Sequence, residues 1–223
     1  MCGRYIFAQE SKVLYKRYDV PIDLVSEHVA AGPMYNISPG SLVSVITKNS
    51  PNSIEIMKWG FIPHWARDPR IGSRLINARA ETLAQKSSFK HSFEERRCLV
   101  PATGFYEWMQ EGNDKVPYLI QLRDKDIFSF AGLYDIWQDV EGKQFKTFCI
   151  ITTEANKLMR SIHLRMPAIL SRNEEKTWLN PQNSPDKLQK LLKPYEHSRM
   201  EAYPVSNKVN NPRNQGEELI KKA

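Results

Sequence analysis

The sequence predicts a single α+β domain, mainly antiparallel, with helices added at its edges. Short runs rich in β-branched and aromatic residues follow one another along most of the chain, each bounded by Gly, Pro, Asn or Asp. Helical periodicity is confined to a few brief stretches. No linker, repeat or low-complexity segment divides the 223 residues, a length that suits one well-buried core.

The predicted strands are GRYIF at the N-terminus, Leu42–Thr47, Ile54–Gly60, Arg97–Thr103, Phe105–Met109, Pro117–Arg123, Ile127–Trp137 and Phe145–Thr153, then PAILS and AYPVS. Gly-Asn at Asn113 and Glu-Gly at Gly142 read as hairpin turns. Helices are expected over Ser11–Tyr18, Thr153–Ile162, Asn173–Leu179 and Pro185–Leu192. From Asn207 onward the chain is polar, and residues 207–223 are expected to be a loosely attached tail.

Hydrophobic residues make up 41% of the chain, a globular value. No apolar run approaches a membrane span, and MCGRYIFAQE lacks the apolar stretch of a signal peptide. The expected setting is the cytoplasm, or the nucleoid if the source is bacterial, with no membrane partner. Cys2, Cys98 and Cys149 are scattered and odd in number, so neither a disulfide framework nor a metal site is expected. No cofactor is expected either. The net charge of +7 is compatible with a polyanionic partner without demanding one.

Cys2 carries the most specific chemistry. Removal of Met1 would place a free α-amine beside the thiol. A 1,2-aminothiol attacks an aldehyde with its amine, and the thiol then closes a five-membered thiazolidine. The amine titrates near about 7.7–8.0 and the thiol near about 8.5 in ordinary surroundings, so both are partly competent at neutral pH without large shifts. The plainer alternative is a small, unimportant second residue. The apolar Tyr5, Ile6 and Phe7 that follow read instead as a strand tying this end into the core.

Polar residues inside buried-looking strands are the candidate partners. In GFYEWM, strand alternation places Glu107 on one face with Phe105 and Met109, and Trp108 on the other with Tyr106. Burial would penalise the charged carboxylate, which suits a general acid or base; a Glu at a strand edge facing water is the alternative. In INARAET, Asn77, Arg79 and Glu81 alternate; Asn77 is placed to orient a reacting group and Arg79 to clamp a phosphate, unless Arg79 and Glu81 form a structural ion pair. His163 and Arg165 share a face if SIHLRMP is extended, and a histidine there can shuttle protons.

Aromatic and basic residues interleave in WGFIPHWARDPRIGSR, residues 59–74, a candidate DNA-facing loop in which bases stack on Trp65 while arginines follow the backbone. A core tryptophan pair with a solvated basic fringe is its alternative. Asn36, Pro39 and Gly40 in MYNISPG form a turn able to present amides or a wedge to a base step.

These motifs together resemble the SRAP family, the SOS-response-associated peptidase or abasic-site processing proteins. MCGRY, YNISPG, MKWGFIPHW, INARAET, RRCLVPATGFYEW, FAGLYDIW, IHLRMPAIL and PVSNKVN stand in the family's order over nearly the whole chain. The resemblance implies a barrel-like β core in a single domain spanning 1–223, and a monomer. It implies recognition of abasic sites in single-stranded DNA, self-removal of Met1 and a thiazolidine crosslink through Cys2. It also implies roles: Asn77 positions the Cys2 amine and the sugar, Glu107 transfers protons, and His163 helps to open the deoxyribose ring and to reverse the crosslink. Arg4, Arg79 and Arg165 would contact phosphates, with Trp108 near the DNA and the Pro39–Gly40 turn parting the strand at the lesion.

Three rival readings make different demands. An N-terminal-nucleophile amidohydrolase would act on a glutamine amide. A thiol peptidase acting in trans would use Cys2, His163 and Glu107 and would not need the α-amine. A non-covalent single-strand binding module would give no denaturation-stable adduct.

Overall fold

The computed structural model describes residues 2–10, 12–20, 32–47 and 53–223. Two sheets are built from thirteen strands among these residues. The first is antiparallel. Its centre is the hairpin of β7 (Gly104–Glu111) and β8 (Asp114–Leu122), which turns through Gly112 and Asn113. Outside β7 lie β1 (Tyr5–Phe7) and then β2 (Met34–Ile37), and outside β8 lies β13 (Met200–Pro204).

The second sheet closes on itself. Strands β4 (Ile54–Trp59), β3 (Leu42–Thr47), β6 (Arg97–Ala102), β9 (Phe128–Gln138) and β10 (Gln144–Glu154) pair in that order, and β10 pairs both β9 and β4. Closure removes the unpaired edges that an open sheet exposes. The β4–β10 contact is parallel, and so is the pairing of β10 with β5 (Asn77–Arg79), which follows β4 along the same side of β10. Two short strands, β11 (Arg165–Pro167) and β12 (Ile169–Leu170), continue the sheet beside β10 and β9.

The helices are peripheral, as the sequence predicts. They are α1 (Lys12–Tyr18), α2 (Lys90–Glu95), α3 (Arg172–Leu179) and α4 (Pro185–Gln189). The first was expected to begin at Ser11, which lies outside the described residues. No described helix is long and apolar enough to cross a membrane.

Two expectations are corrected. The stretch 153–162 is not a helix. β10 runs on to Glu154 because Thr152, Thr153 and Glu154 pair with β11. Only a 3-10 turn at Met159–Ser161 follows, its start fixed by Asn156 Oδ1 accepting from the Met159 amide at 2.9 Å. Nor is 207–223 loose. Val209 and Leu219 are fully buried, and Val209 with Ile6, Tyr106, Leu119 and Val205 builds a small second core on the outer face of the first sheet. Tyr106 Oη donates to Leu219 O at 3.4 Å and Tyr203 Oη to Ile220 O at 2.9 Å.

Candidate active site

The N-terminal segment is held by aromatic packing. Tyr5 makes edge contacts with Trp59 (5.3 Å between ring centres) and Phe130 (5.7 Å), which seats β1 against the barrel. Cys2, just before β1, is fully buried in the main core. Asn77 at the start of β5 reaches it: Asn77 Nδ2 donates to the Cys2 carbonyl at 2.9 Å. This bond joins the barrel to the segment that enters the open sheet. Asn77 Oδ1 is buried with no hydrogen-bond partner among the described residues, so an acceptor waits beside Cys2.

Glu107 comes from β7. The alternation read in GFYEWM holds: Phe105 and Met109 belong to the main core, while Tyr106 and Trp108 belong to the second core on the other face. Glu107 is 3% exposed, so the water-facing alternative is excluded. Burial pushes the Cys2 thiol well above its ordinary range, and the nearby Glu107 charge pushes it further. This is the thiol with Met1 still attached; the expectation of a thiol near its ordinary value concerns the chain that begins at Cys2.

A second cluster surrounds the end of β10. The Arg165 guanidinium makes a two-pronged bridge to Glu81 at 2.6 and 2.9 Å and also donates to Thr152 O at 2.7 Å. Arg165 holds the Glu81 carboxyl below the usual carboxylate range. The partner of Glu81 is thus Arg165 rather than Arg79, which is exposed. His163 Nδ1 lies 2.9 Å from the Arg165 amide nitrogen and 3.1 Å from the Arg165 carbonyl oxygen, so the Arg165 backbone holds the ring. Strand β5 spans the two clusters, with Asn77 in one and Arg79 beside the other.

A third group lies on the outer face of the first sheet. Arg4 Nη1 donates to Asn36 Oδ1 at 2.7 Å and to Val209 O at 2.8 Å, and the Arg4 guanidinium stands 5.8 Å from the Trp108 ring centre. Asn36 was expected to face DNA, and this is corrected. It is 2% exposed, and its Nδ2 is spent on the carbonyls of Val209, Asn211 and Asn214. Its task is to hold the C-terminal segment.

The 59–74 stretch divides. Trp59 is core, its indole N–H donating to Ile76 O at 2.9 Å, whereas Trp65 is 51% exposed. The Trp65 loop is pinned from below: His64 N donates to the buried Asp135 at 2.8 Å, Arg96 pairs with the same carboxylate, and Trp137 Nε1 donates to Ala66 O at 2.7 Å. Pro39 and Gly40 line a cleft of about 430 Å³ with Lys58, Arg70 and Ser73. Gly40 has φ +92°, which favours glycine there although nothing crowds its side-chain position. Across the cleft floor Gly60 and Gly72 meet so closely that a Cβ on Gly72 would lie 2.8 Å from Gly60 O. Neither the Asp135–Arg96 support nor the anchoring of Val209 was found from sequence; Asp135 in FAGLYDIW and Val209 in PVSNKVN were their only trace.

Fold and site define a two-sheet α+β protein with a cysteine at its N-terminal strand, set beside a buried carboxylate and an asparagine amide. The chain belongs to the SOS response associated peptidase (SRAP) family, whose model matches residues 1–212. It is 44% identical over 223 residues to the abasic site processing protein YoqW of Bacillus subtilis (strain 168), with 99% of each chain covered. It is 34% identical to the abasic site processing protein HMCES of Xenopus tropicalis, covering 84% of this chain and 65% of that one. A solved structure from Bacteroides thetaiotaomicron matches with a TM-score of 0.91 at 34% identity, over 100% of both chains.

Proposed function

We propose that this protein processes abasic sites in single-stranded DNA by forming a covalent bond through Cys2. The observation that carries the reading is the setting of Cys2, fully buried within the field of Glu107 and bonded through its carbonyl to Asn77. Relatives named as abasic site processing proteins support the same substrate.

Loss of Met1, by self-processing, turns the Cys2 amide nitrogen into a primary amine. The Asn77 Oδ1 acceptor then orients an amine N–H. The amine adds to the ring-opened aldehyde of the lesion and expels water, giving an imine. The Cys2 sulfur adds to the imine carbon while its proton passes to the ring nitrogen, which closes the thiazolidine. Glu107 carries protons in both steps. A thiol that stays protonated fits this order, because the amine attacks first and the sulfur is deprotonated only as the ring closes. His163 supplies a proton for opening the deoxyribose and takes part in reversal.

Arg4, Arg79 and Arg165 take phosphates, Trp65 and Trp108 offer stacking faces, and the Pro39–Gly40 turn parts the strand. The protein acts as a monomer in the cytoplasm or at the nucleoid; the three free, buried cysteines suit a reducing compartment.

An oligonucleotide with one abasic site, incubated with the protein and run under denaturing conditions, tests the reading. A stable adduct that disappears with Cys2→Ala supports it. No adduct, together with glutaminase or peptidase turnover, replaces it with one of the rival activities.

A further inference from the structure

The C-terminal segment is part of the site's architecture. Its 3-10 turn at Asn207–Asn210 lies against the outer face of the first sheet, pinned there by the buried Val209 side chain and by Arg4 and Asn36 on the Val209 carbonyl. That anchoring fixes the next residue. Asn210 Oδ1 accepts the Trp108 Nε1 proton at 2.7 Å, from a position 102 residues further along the chain. Asn210 is exposed, so its side chain is not needed to fill a core. Trp108 is half-buried at the margin of the second core, with the Arg4 guanidinium beside its ring.

We propose that Asn210 is a positioning residue that orients the Trp108 indole, next to Arg4, as a stacking platform for a base of single-stranded DNA. This rests on the DNA reading above and adds to it a specific task for the C-terminal segment. An indole has one donor, at its edge. A fixed acceptor for that donor selects one of the ring's rotations about its side-chain bonds, and the aromatic face is thereby aimed before the strand arrives. Without Asn210 the ring must be ordered on binding, and the strand binds more weakly. One neutral hydrogen bond corresponds to a change of about 2- to 10-fold in affinity.

The test uses the full chain. The Trp108 indole N–H is assigned among the five tryptophans by its loss in Trp108→Phe. Slow exchange of this proton in the parent chain, fast exchange in Asn210→Ala and recovery in Asn210→Asp, which keeps the acceptor, are expected. Affinity for an unmodified single-stranded oligonucleotide should fall about 2- to 10-fold in Asn210→Ala. It should fall no further when Asn210→Ala is added to Trp108→Phe, since the effect passes through the indole. Additive losses, or unchanged affinity with a mobile indole, overturn the proposal. If the parent chain binds the strand and Asn210→Ala weakens it but no abasic adduct ever forms, the covalent reading fails and the positioning role stands. If the parent chain binds no single strand, both fail.

Discussion

Asn77 Nδ2 and the Cys2 carbonyl oxygen, 2.9 Å apart, connect the closed sheet to the N-terminal segment that carries Cys2. β5 is held in register on β10 by pairing from Ile150 to Thr152, so the position of Cys2 is referred to the barrel and not to a free chain end. Asn77→Ala is expected to cost about 1–3 kcal/mol in denaturant unfolding, because it strands a carbonyl beside the core. Adduct formation should slow by more than this stability loss explains at temperatures where the variant is folded. An unchanged single-turnover rate would contradict the orienting role.

Glu107→Gln keeps the shape of the buried side chain and removes its charge. Single-strand affinity should stay within about 2-fold, while the adduct rate falls by about 100-fold or more, the range expected for losing a positioned proton carrier. The same substitution removes one of the two influences that raise the Cys2 thiol, so the pH profile of Cys2 alkylation, read by peptide mass mapping, should move to lower pH. A profile that does not move would separate Glu107 from Cys2.

Burial raises all three thiols above the ordinary cysteine range of about 8.5–9. The sign follows directly. The unfolded chain releases these protons as pH passes about 9 while the folded chain keeps them, so stability is fully present below that pH and declines above it. Urea midpoints should be level from pH 7 to about 8.5 and fall beyond. Cys149→Ala should show a shallower alkaline decline than the parent chain, whatever its stability at neutral pH.

Glu81 occupies the guanidinium of Arg165. If Arg165 takes a phosphate, Glu81→Gln should tighten single-strand binding at low salt, and Arg165→Ala should reduce the slope of log affinity against log salt by about 1. The carboxyl is held below its ordinary value, so its contribution to stability is present above that value and lost as pH falls through the depressed one. The stability gap between the parent chain and Arg165→Ala should therefore narrow as pH falls, and the acid decline of the variant should be shallower.

The C-terminal segment offers a test of the fold. Leu219 is fully buried, and Leu219→Ala should cost about 2–5 kcal/mol. Proteases should leave residues 207–223 attached in the parent chain and release them in the variant.

Much of this was legible in the sequence, for local reasons. Strand alternation alone put Glu107 and Trp108 on opposite faces, and the turn residues located both hairpins. The failures have long-range causes. Asn36 reads as an exposed turn residue because the carbonyls it serves lie 173 to 178 positions away. The 153–162 stretch has helical spacing, yet pairing with β11 outweighs it through Glu154. The segment after Asn207 is polar in composition and mostly exposed, but the buried Val209 and Leu219 are enough to anchor it. Trp59 and Trp65 differ only in where the barrel places them, one inside and one at the rim.

In the proposed reaction Cys2 bonds to the lesion through both its amine and its thiol. Intact mass of the protein after incubation with an abasic oligonucleotide tests it most directly. One species is expected, at the mass of the chain lacking Met1 plus the oligonucleotide minus one water, and it should be absent in Cys2→Ala. An adduct that retains Met1, or one of full strength in Cys2→Ala, would contradict it.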